Sequence, residues 1–175
     1  MLKTKRALTY LLIVLIIFAS IRISLFSLRF ILASDYPLVV VSGHSMERTF
    51  YDGDLLAVKG LADKHSINLM DIIVFHNPYD WNTLIVHRVI QIIPESSLEF
   101  VTKGDYNSGP DPWRVQETDV VGVVVARVPS AGPFFMVIQS PVVTVFLIVL
   151  LIIEYVGYSE YEKKKKVEDF GKTTL

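Results

Sequence analysis

The sequence predicts a mainly β domain held between two transmembrane α-helices. Three observations predict it. Uncharged apolar runs lie near both ends of the 175-residue chain, short β-branched runs broken by turn residues fill the middle, and basic clusters flank the apolar runs on their outer sides. With 51% hydrophobic residues, the length suits one globular domain plus one or two spans. A formal net charge of −1 gives no global basic field, so nucleic acid is not an expected partner. Cysteine is absent, which excludes disulfides, a cysteine nucleophile and thiolate zinc sites. No metal or other cofactor is expected.

Residues 1–6, with Lys3, Lys5 and Arg6, are expected to form a cytoplasmic N-terminus. The first span is expected over residues 7–28. Ala7–Ile21 is apolar apart from Thr9 and Ser20, and a full crossing of ~20 residues requires Arg22 to snorkel to the far interface. Arg22 and Arg29 share a helical face. The competing reading is a cleaved signal peptide, because a basic leader precedes the apolar run. A retained anchor is preferred, since the serine segment described below follows at once and needs holding at the membrane.

The second span is expected over residues 134–153, with Pro141 kinking it or marking its first turn. Residues 154–175, with Lys163–Lys166, are expected to form a charged cytoplasmic tail that is solvated or lies on the head groups. Two spans then put both termini inside and residues 34–132 outside. That middle part reads as strands at 38–41, 55–58, 71–75, 83–93, 98–102 and 120–128, separated by Asp52-Gly53, Asn77-Pro78 and Pro94. None of its runs of ten or more residues has helical periodicity.

Chemistry concentrates in three places: Ser45 in Val41-Ser42-Gly43-His44-Ser45-Met46-Glu47-Arg48-Thr49-Phe50, His87 in Ile85-Val86-His87-Arg88-Val89-Ile90, and Asp105 and Asp111 in a loop of Gly, Asn, Ser and Pro. A serine hydroxyl is a weak nucleophile until a base takes its proton. His44 adjoins Ser45 and would face away in an extended segment. His65 and His76 fall in polar stretches. His87 lies in an apolar strand, where an ionisable group needs a partner. Arg88 cannot act as a base. The composition alone still allows ordinary turn chemistry for both aspartates and a core histidine at 87.

The serine segment resembles the nucleophile box of type I signal peptidases, Val-x-Gly-x-Ser-Met-x-Pro-Thr-Leu. Gly53-Asp54-Leu55-Leu56-Ala57-Val58 and Asp71-Ile72-Ile73-Val74-Phe75 resemble the next two strands of that family, and Ile85–Ile90 resembles the box in which bacterial members carry Lys-Arg-Val. Histidine in place of that lysine marks the archaeal and endoplasmic-reticulum branch. Lys103-Gly104-Asp105-Tyr106-Asn107 with Asp111 resembles the final Gly-Asp box. The resemblance runs from about residue 38 to 132, with two departures: Arg48 for the usual Pro, which is expected to loosen the turn after Ser45, and Tyr106 for the usual Asn.

The resemblance implies a membrane serine endopeptidase that removes signal peptides from secretory precursors, cutting after small residues at the outer face. Ser45 would be nucleophile and His87 general base. Asp111 would orient the imidazole, with Asp105 as the second candidate for that role. The Ser45 N–H would serve as an oxyanion donor. The strand at 38–41 would pair with extended substrate, and Val39, Val41, Met46 and Ile85 would line shallow apolar pockets. Expected partners are the signal peptides, the lipid bilayer and the secretion translocon. The alternatives are a membrane serine protease with other substrates, and a non-catalytic β-domain that binds a partner.

Overall fold

The computed structural model describes the backbone of residues 2–94 and 97–173, and side chains over 9–94 and 97–164. The side chains of Lys3, Lys5, Arg6, Lys165 and Lys166 therefore lie outside the described residues. The chain forms two units: the residues up to Ser24 together with those from Val137 onward, and Leu25–Met136.

Three helices account for the first unit. Helix α1 spans Leu2–Ile31, α2 spans Gly132–Gln139 and α3 spans Pro141–Thr173; the ends of α1 and α2 extend into the second unit. Two helical stretches are long and apolar enough to cross a membrane, Thr9–Ile31 and Pro141–Lys164. Helix α1 ends where Ala33 turns left-handed at φ 47°, and the Ser34 N–H reaches back to the Arg29 carbonyl at 3.2 Å.

The second stretch of membrane-spanning length begins not at 134 but at Pro141, the residue expected to kink the run or mark its first turn. Proline has no N–H to donate, so the helix breaks at Ser140 and restarts on Pro141. The break gives Arg22 its partners. Its Nη1 donates to the carbonyls of Ile138 and Gln139, each at 3.0 Å, at the C-terminus of α2. An apolar environment offers those carbonyls no water, so a guanidinium with several donors replaces the missing amides. Helix α3 continues through the charged tail to Thr173.

The second unit is built on one antiparallel sheet in the order β1-β2-β7-β3-β4-β5-β6. Its strands are β1 (Leu38–Val40), β2 (Leu55–Lys59), β3 (Ile72–Asn77), β4 (Asp80–Pro94), β5 (Leu98–Lys103), β6 (Val115–Gln116) and β7 (Val120–Val128). Alternation along the strands sorts the side chains. Ile73, Phe75, Val89, Phe100, Val115 and Val120 form one buried cluster, while Val41, Met46, Phe50 and Leu56 form another, against which Ile72, Val86 and Val124 pack. Strand β4 thus separates two environments, and consecutive residues on it serve different ones. The two-residue β6 is too short to leave a periodic signal in the sequence.

Candidate active site

Three segments converge on β4. The first is the turn between β1 and β2, which carries Ser45. Gly43 enters it at φ 98°, a conformation that suits a residue without a Cβ, and its N–H donates to Asp52 Oδ1 at 3.0 Å. The turn then closes on itself through Glu47 N–H to the His44 carbonyl (3.1 Å), Thr49 N–H to the Met46 carbonyl (3.0 Å) and Phe50 N–H to the same carbonyl (2.8 Å). Arg48 sits at φ 78°, which proline cannot adopt. The turn expected to loosen without proline is nevertheless closed by the three hydrogen bonds above, with Arg48 on a backbone conformation closed to proline.

His87 stands in the middle of β4, 6% exposed, opposite Ile73 on β3 and edge-on to the Phe75 ring. Its Nε2 lies 3.0 Å from Ser45 Oγ, and its Nδ1 lies 2.6 Å from Asp111 Oδ2. The same carboxylate oxygen accepts from the Thr102 hydroxyl at 2.6 Å, and the Asp111 N–H donates to the Thr102 carbonyl at 2.8 Å. The Asp111 side chain is 4% exposed and Thr102 is fully buried. A proton on Nδ1, facing the carboxylate, leaves the Nε2 lone pair aimed at the serine hydroxyl. That arrangement can draw a proton from Ser45 Oγ and orient the ring that receives it.

Arg88, the next residue on β4, points the other way and binds the other aspartate. Its Nε and Nη2 reach the two Asp105 oxygens at 2.8 and 2.6 Å, and its Nη1 donates to the Met70 carbonyl at 2.9 Å. The Thr49 hydroxyl also donates to Asp105. Arg88's hydrogen bonds, working against burial and helped by Thr49, hold the Asp105 carboxyl below the usual carboxylate range. The same contact raises Arg88. The loop aspartates thus divide between the two faces of one strand: Asp111 meets the imidazole, and Asp105 ties β4 to the turn carrying Ser45.

A second ion pair braces that turn. Asp54 accepts the N–H of Tyr51 at 2.8 Å and of Ser130 at 3.0 Å. Arg127 Nε stands 2.7 Å from Asp54 as a charge contact whose N–H is not aligned on it, while Arg127 Nη1 donates to the Thr49 carbonyl at 2.9 Å. Burial works to raise Asp54, but the two N–H groups and the Arg127 charge outweigh it and hold the carboxyl below its ordinary value. The sequence does not single out Thr49, Thr102 or Arg127; the inward alternation of β5 is the local signal for Thr102.

The other histidines have other surroundings. His44 is exposed and pairs with Glu47 at 2.6 Å, and His65 lies on an exposed short turn. His76 is not in a polar loop as expected: it is on β3, stacked on Trp81 at 4.2 Å. The four pocket candidates pack in different places. Met46 is 2% exposed and Val41 8% exposed inside one cluster, Ile85 packs against the other, and Val39 is half-buried on β1. Strand β1 does lie at the edge of the sheet, where an extended peptide can add.

Comparison with known proteins bears on the family. The family model described as signal peptidase, peptidase S26, matches residues 5–96, which include Ser45 and His87 but not Asp105 or Asp111. The signal peptidase complex catalytic subunit SEC11 of Verticillium alfalfae is 33% identical over 109 residues, 57% of this chain and 62% of that protein. That of Colletotrichum graminicola is 35% identical over 109 residues, with the same shares. For Clavispora lusitaniae the identity is 31% over 137 residues, 73% of this chain and 81% of the relative. The match to the first of these thus spans a little under two thirds of the relative's length. By the extent of the family match and by its likeness to the Clavispora protein, the chain belongs to the S26 family of signal peptidases.

Proposed function

We propose that the chain is a membrane-bound serine endopeptidase that removes N-terminal signal peptides from secretory precursors, cutting after small residues. The observation that carries this reading is the unbroken line from Ser45 Oγ to His87 Nε2 at 3.0 Å and from His87 Nδ1 to Asp111 at 2.6 Å. Ser45 Oγ attacks the scissile carbonyl carbon as His87 Nε2 takes its proton, and Asp111 steadies the imidazolium. The Ser45 N–H is the proposed donor to the oxyanion. Collapse of the tetrahedral intermediate breaks the C–N bond, and His87 passes the proton to the leaving amine. Water, activated by the same imidazole, then hydrolyses the acyl-enzyme and frees Ser45.

Substrate would add to β1 in extended form, so that side chains alternate toward and away from the site. The helices over Thr9–Ile31 and Pro141–Lys164 would tether the β domain at the outer membrane face, with both termini in the cytoplasm. That placement raises the effective concentration of a precursor whose own apolar helix lies in the same bilayer. The three relatives are named as catalytic subunits of a signal peptidase complex, which supports partner subunits or the translocon as company for this chain.

The test is incubation of the purified full chain in detergent with a secretory precursor bearing small residues at the first and third positions before the cut. The wild type should release the mature protein and Ser45→Ala should not. Equal turnover by both proteins would remove Ser45 from the reaction.

A further inference from the structure

Arg48 and Tyr106 take no part in the proton relay, yet they meet beside it. Arg48 holds φ 78°, in the left-handed region that disfavours a side chain with a Cβ unless its surroundings hold it there. Its guanidinium carbon lies 5.6 Å from the centroid of the Tyr106 ring, within cation–π range. The Tyr106 N–H donates to the Ser45 carbonyl at 2.9 Å. These contacts form a closed ring. It runs along the backbone from Ser45 through Met46 and Glu47 to Arg48, crosses to the Tyr106 ring, and returns to Ser45 through the hydrogen bond. The nucleophile is a member of that ring.

The approach is close. A Cβ on Gly104 would fall 2.6 Å from the Ser45 carbonyl oxygen, so the two loops touch backbone to backbone just where the ring closes. Thr49 and Phe50 fasten the far side of the turn through the Met46 carbonyl. The near side, at Ser45, has the Tyr106 N–H and the Arg48–Tyr106 contact. Both side chains are exposed, so packing in the core does not explain their position.

We propose that Arg48 and Tyr106 form a positioning clasp, which holds the loop of Asp105 against the turn of Ser45 and keeps Ser45 Oγ within reach of His87. This rests on the reading of Ser45 as nucleophile. Neither residue touches the reacting atoms. Their effect therefore falls on the rate of the bound complex rather than on substrate binding.

The variants are Arg48→Asn, which tolerates the left-handed backbone without the guanidinium, Arg48→Lys, which keeps a cation, Tyr106→Leu, Tyr106→Phe, and the Arg48→Asn/Tyr106→Leu double variant. Two readouts are taken on the full chain in detergent: kcat and KM on the precursor, and hydrogen exchange of the residue-106 amide, which needs no substrate. An exposed cation–π contact of this kind corresponds to about two- to five-fold in an equilibrium. Arg48→Asn and Tyr106→Leu should each lower kcat by about that factor at unchanged KM, and Arg48→Asn should speed the amide exchange similarly. Arg48→Lys and Tyr106→Phe should recover part of each loss, and the double variant should be little worse than either single one. Wild-type kcat and exchange in Arg48→Asn, fully multiplying losses in the double variant, or a change confined to KM would each overturn the clasp. Absence of cleavage by the wild type would instead sink the proteolytic reading, and the exchange rates would still decide whether the clasp exists.

Discussion

At the scale of single residues, two loop aspartates six positions apart have different work, and strand geometry separates them. His87 and Arg88 are neighbours on β4 and so face opposite ways, one toward Asp111 and the other toward Asp105. The same contacts predict the effect of Thr102→Val. This change removes a buried hydroxyl that donates to Asp111, so kcat should fall about ten-fold, the scale of a hydrogen bond to a charged group, while KM holds. His87→Lys should not restore activity, because an ammonium beside the Asp111 carboxylate would keep its proton; steady-state turnover of that variant checks it. Asp54 and Asp105 both have carboxyls held below their ordinary value, so the sign of their linkage is set. Each contributes stability that is present above the unfolded-state value near ~4 and is lost as pH falls through its lower folded value. Thermal melts across that acid range should show the loss, and Asp54→Asn and Asp105→Asn should each flatten it. The boxes around Ser45 and His87 single both out as candidates in the sequence, and the structure brings the two side chains within 3.0 Å. The resemblance puts Asp111 ahead of Asp105 for the imidazole; the pairing of Asp105 with Arg88 was not legible, because a loop sequence does not say which face of a neighbouring strand its side chains will meet.

At the scale of elements, the strands followed their β-branched runs to within a few residues, and the departures have local causes. Thr83–Ile93 extends back to Asp80 because the β3–β4 hairpin is tight and continues the pairing through a bulge at His76/Asn77. The second apolar run splits at Ser140 because Pro141 cannot donate, and hydropathy does not register that break. Arg22, which reads in the sequence as an interfacial snorkel, fills the gap with two hydrogen bonds. Arg22→Leu should therefore lower the midpoint of thermal unfolding in detergent micelles, and Arg22→Lys should lower it less; an unchanged midpoint in Arg22→Leu would leave those carbonyls without a need for the guanidinium. Gly104→Ala should displace the Ser45 carbonyl and cut kcat more than it cuts stability, which paired turnover and melting measurements would separate.

At the scale of the whole molecule, the sequence order is a helical stretch of membrane-spanning length, a β sheet with β1 at one edge, and a second such helical stretch. The order of apolar and β-branched runs made that plan legible in the sequence, since span length and strand alternation are both local properties. The pairing order was not legible, because β7 inserts between β2 and β3 through contacts distant in sequence. If both termini are cytoplasmic, protease added to right-side-out vesicles should digest the region 34–132 and spare a tag placed after the C-terminal lysines. Digestion of the tag would reverse the assignment. The central claim is that Ser45, His87 and Asp111 work as one relay while Asp105 serves the frame around it. Its most direct test is the ratio of kcat on a secretory precursor for Asp111→Asn and Asp105→Asn. A lost orienting carboxylate in a serine relay lowers kcat by roughly 10⁴, so Asp111→Asn should fall by at least about a thousand-fold, and Asp105→Asn by less than about ten-fold. Equal losses, or a larger loss for Asp105→Asn, would contradict the relay.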